Sequence, residues 1–373
     1  MRIAFDVSYI QTRPHGYRRY ATELLRALVE QGEEHQWVLH GWSASLDRQW
    51  LASLRRPGVE FRVRRLPGQC KRFYWNALRL PAIERLIGPF DIFHSTDPLL
   101  PPTRRKSVIT IHDLVYVKFP DLVESRVVRW DATVRANALR ADAIVADSAH
   151  TKSDIVDLFG IPESKVHVVY PIVSPLFTHN PSEIDEEVIA RYDLLRPYIL
   201  FVSTIEPRKN VIRLLEAYKR MKDSFKKEVH LVVVGREGWK TEATVHAIRA
   251  HERSGCVRWL RDVRDTDLAA FYRRALMFVF PSLYEGFGFP VAEAMASGTP
   301  VITSRAGSLS EIAGNAAVLV EPTSTEELTA AMAALAYDDA KRRELRRLGI
   351  EQARLFNYRN AVDRIFSIYK TLS

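Results

Sequence analysis

The sequence predicts an α/β protein of two similar halves, each a parallel sheet with helices on both faces, and three observations predict it. Short apolar, β-branched runs alternate with amphipathic stretches. The alternation pauses at a polar, acidic, proline-containing segment near the middle and then restarts. The 373 residues exceed one ordinary core and suit two domains of roughly 100 to 200 residues each.

In the first half, strands are predicted at 3–7, 37–40, 91–94, 108–112, 143–147 and 166–170. The intervening helix over 18–30 has Tyr20, Leu24, Leu25, Leu28 and Val29 on one side and Arg19, Glu23 and Arg26 on the other, so one face packs and one is wet. Residues 1–178 form the first predicted domain. Residues 179–197, with Asn180, Pro181 and Ser182 followed by Glu183, Asp185, Glu186 and Glu187, read as an interdomain linker. The second domain, 198–357, carries predicted strands at 198–204, 230–235, 257–260, 277–281, 300–303 and 317–320. In the last segment, 358–373, Ala361, Ile365, Ile368 and Tyr369 recur at helical spacing, and this helix is expected to pack back on the first domain. Open α/β sheets bind ligands beyond the carboxyl ends of their strands, so the active site is expected in a cleft between the halves.

Composition narrows the function classes. Apolar residues at 47% and charged residues at 27% are ordinary globular values that leave no room for a long disordered tail. A net charge of +9 favours anionic partners, but nucleotides, phospholipids and nucleic acids all qualify. The absence of a zinc-finger or RNA-platform motif makes nucleic acid the least favoured of these. Cys70 and Cys256 stand far apart and outside any paired-ligand spacing, so neither a disulfide framework nor a zinc site is expected. The first residues enter a strand at once instead of supplying a signal peptide, and no apolar run reaches roughly 18 residues. The expectation is a cytoplasmic enzyme. The basic, aromatic-interleaved stretch Arg55, Arg62, Arg64, Arg65, Lys71, Arg72, Phe73, Trp75 and Arg79 reads equally as a solvated face or as a peripheral contact with the inner face of an anionic membrane.

The run from Pro281 to Pro300 carries the most chemistry. A strand ends there in a glycine-containing turn, Gly286 and Gly288 permit close backbone approach, and a helix begins near Pro290. Free N–H groups at a helix start suit a diphosphate. Glu285 precedes the turn and Glu293 lies on the helix, placed for hydroxyls near a sugar and near a ribose respectively. Taken alone, two such glutamates are more often a solvated helix face. A second segment, Val202 to Asn210, places Arg208 and Lys209 at the end of a strand, where cationic donors can hold a diphosphate as charge accumulates on it. Taken alone, that pair is a basic first turn. His112 ends the strand 108–112 and is otherwise a satisfied core histidine.

Within Tyr284-Glu285-Gly286-Phe287-Gly288-Phe289-Pro290, the spacing of Glu285 and Glu293 resembles the signature of the retaining glycosyltransferases of family four, a group with the GT-B fold of two facing Rossmann-like domains. The resemblance extends over nearly the whole chain. It implies transfer of a hexose from a nucleoside-diphosphate sugar, with GDP-mannose the first choice from the Glu206-Pro207-Arg208-Lys209-Asn210 segment, to an oligosaccharide or lipid-linked glycan acceptor in polysaccharide assembly. UDP- and dTDP-linked sugars stay open. By the same resemblance Glu285, Lys209, Arg208 and His112 are the catalytic candidates, with Lys209 the closer phosphate-binding match. Gly16, Val263, Gly286, Phe287, Gly288, Phe289 and Glu293 are the donor-binding candidates. His112 is expected beside the donor sugar and the loop from Leu260 to Val263 near the nucleotide base.

Two departures stand out. By the resemblance, members of the family usually have a second glycine where this chain has Arg18, in the loop from His15, and many have a Gly-Arg pair where it has Val202-Ser203. Either Arg208 supplies the missing charge or the phosphate grip is weaker. Asp265 and Asp267 match a metal-binding Asp-x-Asp only superficially, because they precede an apolar helix and read as its cap and first turn. No metal and no cofactor are expected, the nucleotide sugar being a co-substrate. A GT-B-type nucleotide-sugar epimerase, a sugar phosphorylase and a catalytically silent relative are the competing readings.

Overall fold

The computed structural model describes residues 1–11, 16–42, 45–64, 75 and 81–373. The chain divides into two compact units: Met1–Leu114 with Arg129–Ile172 and Phe356–Ser373, and Val115–Val128 with Val173–Leu355.

The first unit holds a seven-stranded sheet of β1 (Arg2–Asp6), β2 (Gln36–Trp42), β3 (Val59–Arg64), β4 (Ile92–Ser95), β5 (Lys106–Ile111), β6 (Ala143–Ala146) and β7 (Val166–Val168). Its order is β3-β2-β1-β4-β5-β6-β7, and every pairing is parallel. The strands are short and apolar because both faces are covered, and the residues of β4 and β6 are buried throughout. The strand β3 departs from the sequence reading, which saw only basic residues there. Val59, Phe61 and Val63 alternate with Glu60 and Arg62, the mark of a strand with one wet face, and charges suit an edge strand. Trp75, expected on the basic surface, is fully buried beside Trp42 and His40 and is a core residue instead. Arg65, Lys71, Arg72, Phe73 and Arg79, the side chain of Arg64, and also Cys70 and His15 lie outside the described residues.

The helix Tyr358–Leu372 belongs to this first unit and packs on the helix Gly16–Gln31 through a stripe of Ala361, Val362, Ile365, Ile368 and Tyr369. Tyr369 reaches the sheet itself, its hydroxyl 2.5 Å from His94 Nδ1 on β4. Burial pushes the His94 imidazole down to about 3, so that ring is neutral.

The second unit holds β8 (Tyr198–Val202), β9 (His230–Val234), β10 (Val257–Leu260), β11 (Met277–Phe280), β12 (Val301–Ser304) and β13 (Ala317–Val320), again all parallel, in the order β10-β9-β8-β11-β12-β13. The acidic stretch read as a linker is part of this unit. It forms the helix Asp185–Arg191, which packs on the helix Asp265–Arg274, and the buried Asp185 receives two hydrogen bonds from Arg273, at 2.8 and 2.5 Å. Of the four acids that suggested a solvated connection, Asp185 is one half of a buried ion pair, while Glu183, Glu186 and Glu187 are exposed. Residues 115–128, assigned from sequence to the first domain, also sort with the second unit. Trp239 donates to the Leu122 carbonyl at 3.0 Å and Lys240 to that of Asp121 at 2.7 Å.

In each sheet the strand order reverses once, between β1 and β4 in the first and between β8 and β11 in the second. Ligands of open parallel sheets bind beyond the carboxyl ends of the strands at such reversals.

Candidate active site

At the reversal of the second sheet, the loop after β8 and the loop after β11 are stitched together. The backbone N–H of Leu283 donates to the Arg208 carbonyl at 2.8 Å, and Asn210, in a left-handed conformation (φ 58°), donates to the Pro281 and Pro322 carbonyls at 3.0 and 2.7 Å. This brings Arg208, Lys209 and Glu285 into one cluster. Lys209 Nζ donates to Glu285 Oε1 at 2.6 Å, Arg208 Nη1 donates to Glu285 Oε2 at 2.6 Å, and the Ser282 hydroxyl donates to Oε1 at 2.7 Å. The other edge of the guanidinium grips Glu206 Oε1 at 2.7 and 3.1 Å. Two cations therefore face two carboxylates, and side-chain exposure across the four runs only from 2 to 13%.

Burial by itself would raise the Glu285 carboxyl, but the Arg208 and Lys209 charges and the bonds from Lys209 and Ser282 overcome it and hold it down to about 2. Glu285 is thus a carboxylate at any working pH and a poor proton acceptor. It accepts hydrogen bonds from Arg208, Lys209 and Ser282.

The turn that follows is fixed from behind. Gly288 has φ 100°, and a Cβ there would lie 2.6 Å from Leu309 Cδ2. Gly307 lies against Glu285 itself, where a Cβ would meet its backbone N and O at 2.8 and 2.7 Å. Ser308 donates its hydroxyl to the carbonyls of Glu285 and Phe287 at 3.0 and 2.9 Å. Gly286, Phe287 and Gly288 are buried in the turn, and Phe289 opens the helix Phe289–Ala296 and meets the Phe287 ring edge-on. Glu293 on this helix is 1% exposed and accepts from the Tyr272 hydroxyl at 3.1 Å. Val263 lines a hollow of about 420 Å³ with Trp259, Arg261, Asp262, Tyr192 and Glu252.

Asp265 opens the helix Asp265–Arg274 as its first residue, with Arg264 in the cap position, so it is not the cap that the sequence suggested. Asp267 is turned inward, 2% exposed, and holds the Tyr192 hydroxyl at 3.0 Å and Arg264 at 3.0 and 3.1 Å. Its carboxylate is committed to the fold.

In the first unit, His112 follows β5. Its Nδ1 is 2.7 Å from Asp147 Oδ2 and its Nε2 is 2.9 Å from the Thr96 carbonyl. Both ring nitrogens face acceptors, an arrangement that the doubly protonated ring satisfies. Burial would lower this histidine, yet Asp147 outweighs it and raises it above the usual value. The rings of Tyr17 and Tyr20 meet it edge-on at 4.8 and 4.7 Å. Arg18 donates to the Gln11 carbonyl at 2.6 Å and pairs with Asp47 at 2.7 Å, tying the helix Gly16–Gln31 to its neighbouring loop. Gly16 is exposed, and among the described residues a Cβ there would meet nothing within 4 Å.

The sequence reading missed Glu206, Ser282, Gly307, Ser308 and Asp147. Glu206 and Ser282 stood inside the segments it singled out. Gly307 and Ser308 lie in the loop after β12 and Asp147 directly after β6, and none left a local signal.

Residues 187–352 match the family model described as glycosyl transferases group 1, and residues 14–175 match the model described as glycosyltransferase family 4. The chain is 29% identical over 391 residues to the O-antigen chain mannosyltransferase B of Escherichia coli, covering 100% of both chains. It is 31% identical over 253 residues to the MMP alpha-(1->4)-mannosyltransferase of Mycolicibacterium hassiacum, a match covering 65% of this chain and 58% of that one. Among solved structures, HepE of Anabaena in complex with UDP-glucose superimposes with a TM-score of 0.77 at 17% identity, covering 100% of both chains.

Proposed function

The chain belongs to glycosyltransferase family four, and we propose that it moves a mannosyl group from GDP-mannose to a growing polysaccharide, retaining anomeric configuration and using protein cations in place of a metal. The observation that carries this reading is the pair Arg208 and Lys209 on the two oxygens of Glu285, at the strand reversal of the second sheet. Mannosyltransferases among its relatives support the sugar, and the O-antigen enzyme supports the polysaccharide.

In this mechanism the bond between the anomeric carbon and the diphosphate breaks, and negative charge grows on the departing group. Lys209 and Arg208 donate hydrogen bonds to it, with the turn at Gly288 offering helix N–H groups. The sugar develops oxocarbenium character, as in glycoside hydrolysis. With its carboxyl held at about 2, Glu285 does not take the acceptor proton, which passes to the leaving phosphate on the same face. Arg208 supplies the charge that the Val202-Ser203 departure removes. The hollow beside Val263 receives the base and Glu293 the ribose. His112 acts as an imidazolium near the sugar. The acceptor is an oligosaccharide or lipid-linked glycan, and exposed Arg55 and Arg62 favour peripheral contact with an anionic membrane. Failure to sediment with phosphatidylglycerol vesicles at low salt removes that contact.

The deciding experiment is calorimetry of GDP, GDP-mannose, UDP and dTDP, with the sugar nucleotides of the last two, in chelator-containing buffer. Micromolar binding of GDP and GDP-mannose supports the donor and the metal-free grip. Binding of UDP or dTDP sugars alone reassigns the donor, and binding only when divalent metal is restored overturns the role given to the cations.

A further inference from the structure

The two carboxylates of the cationic cluster are not equivalent. Glu285 takes Arg208 by one nitrogen, Nη1, and takes Lys209 by its other oxygen. Glu206 takes Arg208 by the opposite edge, where Nε and Nη2 both donate to its Oε1 at 3.1 and 2.7 Å, and Lys209 Nζ stands 3.8 Å from the same oxygen. The guanidinium is thus gripped along one edge by Glu206, while Nη1 reaches both Glu285 Oε2 and the Tyr284 carbonyl, the latter at 2.8 Å.

Local sequence and packing together hold Glu206 in place. It caps the short turn Pro207–Lys209 in an extended conformation (φ −151°), and its carbonyl accepts from the Lys209 N–H at 3.0 Å. Its neighbour Ile205 is bonded to the loop after β9, donating to the Arg236 carbonyl at 2.8 Å and accepting from the Gly238 N–H at 2.9 Å. A Cβ at Gly238 would lie 2.8 Å from the Ile205 carbonyl oxygen and 3.6 Å from Glu206 Cβ, so the two loops are in close contact. Glu206 is therefore a buried carboxylate on a backbone clamped by a neighbouring loop.

Its charge works against the ligand. A diphosphate brings further negative charge to a cluster in which two carboxylates already balance two cations. A buried carboxylate beside an anion weakens the binding of that anion, and its own burial costs solvation. What Glu206 contributes is geometry, because a charge-assisted fork fixes the plane of a guanidinium as a single hydrogen bond does not.

We infer that Glu206 is a positioning residue for the transfer: it keeps its hold on the Nε and Nη2 edge of Arg208 throughout, so that when a diphosphate replaces Glu285 at Nη1 and at Lys209 the guanidinium is already aimed. The inference rests on the transferase reading, which supplies the diphosphate. Glu285 is then the exchangeable partner of the two cations and Glu206 the permanent one.

The test compares the wild type, Glu206→Gln, Arg208→Lys and the double variant. GDP-mannose binding is read by calorimetry, and GDP release is read as kcat with and without methyl α-D-mannopyranoside as acceptor. Glu206→Gln removes a charge that opposes the diphosphate and loosens the guanidinium, so GDP-mannose should bind roughly threefold tighter while kcat falls about tenfold. A residue that only supports the fold would weaken both. Because Glu206 acts through Arg208, Glu206→Gln in the Arg208→Lys background should lower kcat by less than about twofold. A further loss of about tenfold there overturns the inference, as does wild-type kcat or weakened binding in Glu206→Gln alone. The Arg208 Nε–H resonance in NMR of the wild type, assigned by its loss in Arg208→Lys, should stay protected from solvent exchange when GDP-mannose is added. Its exposure on binding overturns the inference even where Glu206→Gln does not fold. Binding and GDP release by the wild type leave the transferase reading standing whichever way Glu206 behaves. Failure of the wild type to bind GDP-mannose or to release GDP overturns the two together.

Discussion

At the carboxyl ends of β8 and β11 the second sheet gathers two cations and two carboxylates, Arg208, Lys209, Glu206 and Glu285, bonded to one another at 2.6 to 3.1 Å. At the carboxyl ends of β1 and β4 the loops of the first sheet bring Tyr9 and Asp97 beside Trp130 around a small hollow. The topology at the two places is the same, a reversal of strand order in an all-parallel sheet. The loops decide what each can hold. One cluster balances cations against carboxylates at hydrogen-bond distance, and the other sets a carboxylate among aromatic and aliphatic side chains.

The comparison breaks most visibly if the charged cluster proves dispensable. Lys209→Ala and Glu285→Ala are each expected to lower turnover by a factor of roughly 100 or more, read as kcat and kcat/KM against donor. Wild-type turnover in either variant would remove that residue from the transition state. A smaller effect tests geometry over charge. Arg208→Lys keeps a cation but loses the fork that bridges Glu206 and Glu285, and a drop of about tenfold in kcat is expected. An unaffected enzyme would mean that Arg208 acts as a point charge only.

Acidity sharpens the contrast further. The folded-state pKa of Glu285 lies below its ordinary value, so its contribution to stability is complete above the usual carboxylate range and fades as pH falls toward about 2. The pH profile of kcat/KM should accordingly have no acid limb from Glu285 between pH 4 and pH 7, roughly the interval above its usual titration. A limb in that interval that disappears in Glu285→Gln would contradict the strong coupling to Arg208 and Lys209. His112 in the first unit behaves in the opposite sense. Its raised pKa stabilises the fold fully below the unfolded value and is lost as pH rises through the folded one. Asp147→Asn should move the His112 titration, followed by NMR of the ring protons, downward. An unmoved midpoint would mean that Asp147 does not set its charge.

Much of the fold was legible in the sequence because buried parallel strands write themselves as short apolar runs between amphipathic helices. Each predicted strand formed, with ends shifted by a residue or two. The strand β3 was missed although Val59, Phe61 and Val63 alternate cleanly, because the surrounding arginines invited a reading by charge. The same bias placed Trp75 on a surface when its indole lies in the core. In the candidate site, Arg208, Lys209 and Glu285 stood out because each lies in a compact local motif. Glu206 was passed over in the very segment that supplied its neighbours, since nothing in the linear order says that a buried acid will turn back to grip Arg208.

By itself the sequence determined the class of fold, the alternation of strands and helices, and the two segments that carry the cations and the glutamate, all of which follow from periodicity and short-range motif. Only the tertiary structure decided that Asp185 of the acidic stretch forms a buried ion pair within the second unit, that residues 115–128 leave the unit they follow in sequence, and that the final helix is anchored through Tyr369 to β4. It also decided the electrostatic state of the site. Whether a lysine, an arginine and a glutamate attract a ligand or neutralise one another depends on distances of 2.6 Å between side chains 76 and 77 positions apart. The energy of a buried charge is fixed by its neighbours in space, which local sequence does not specify.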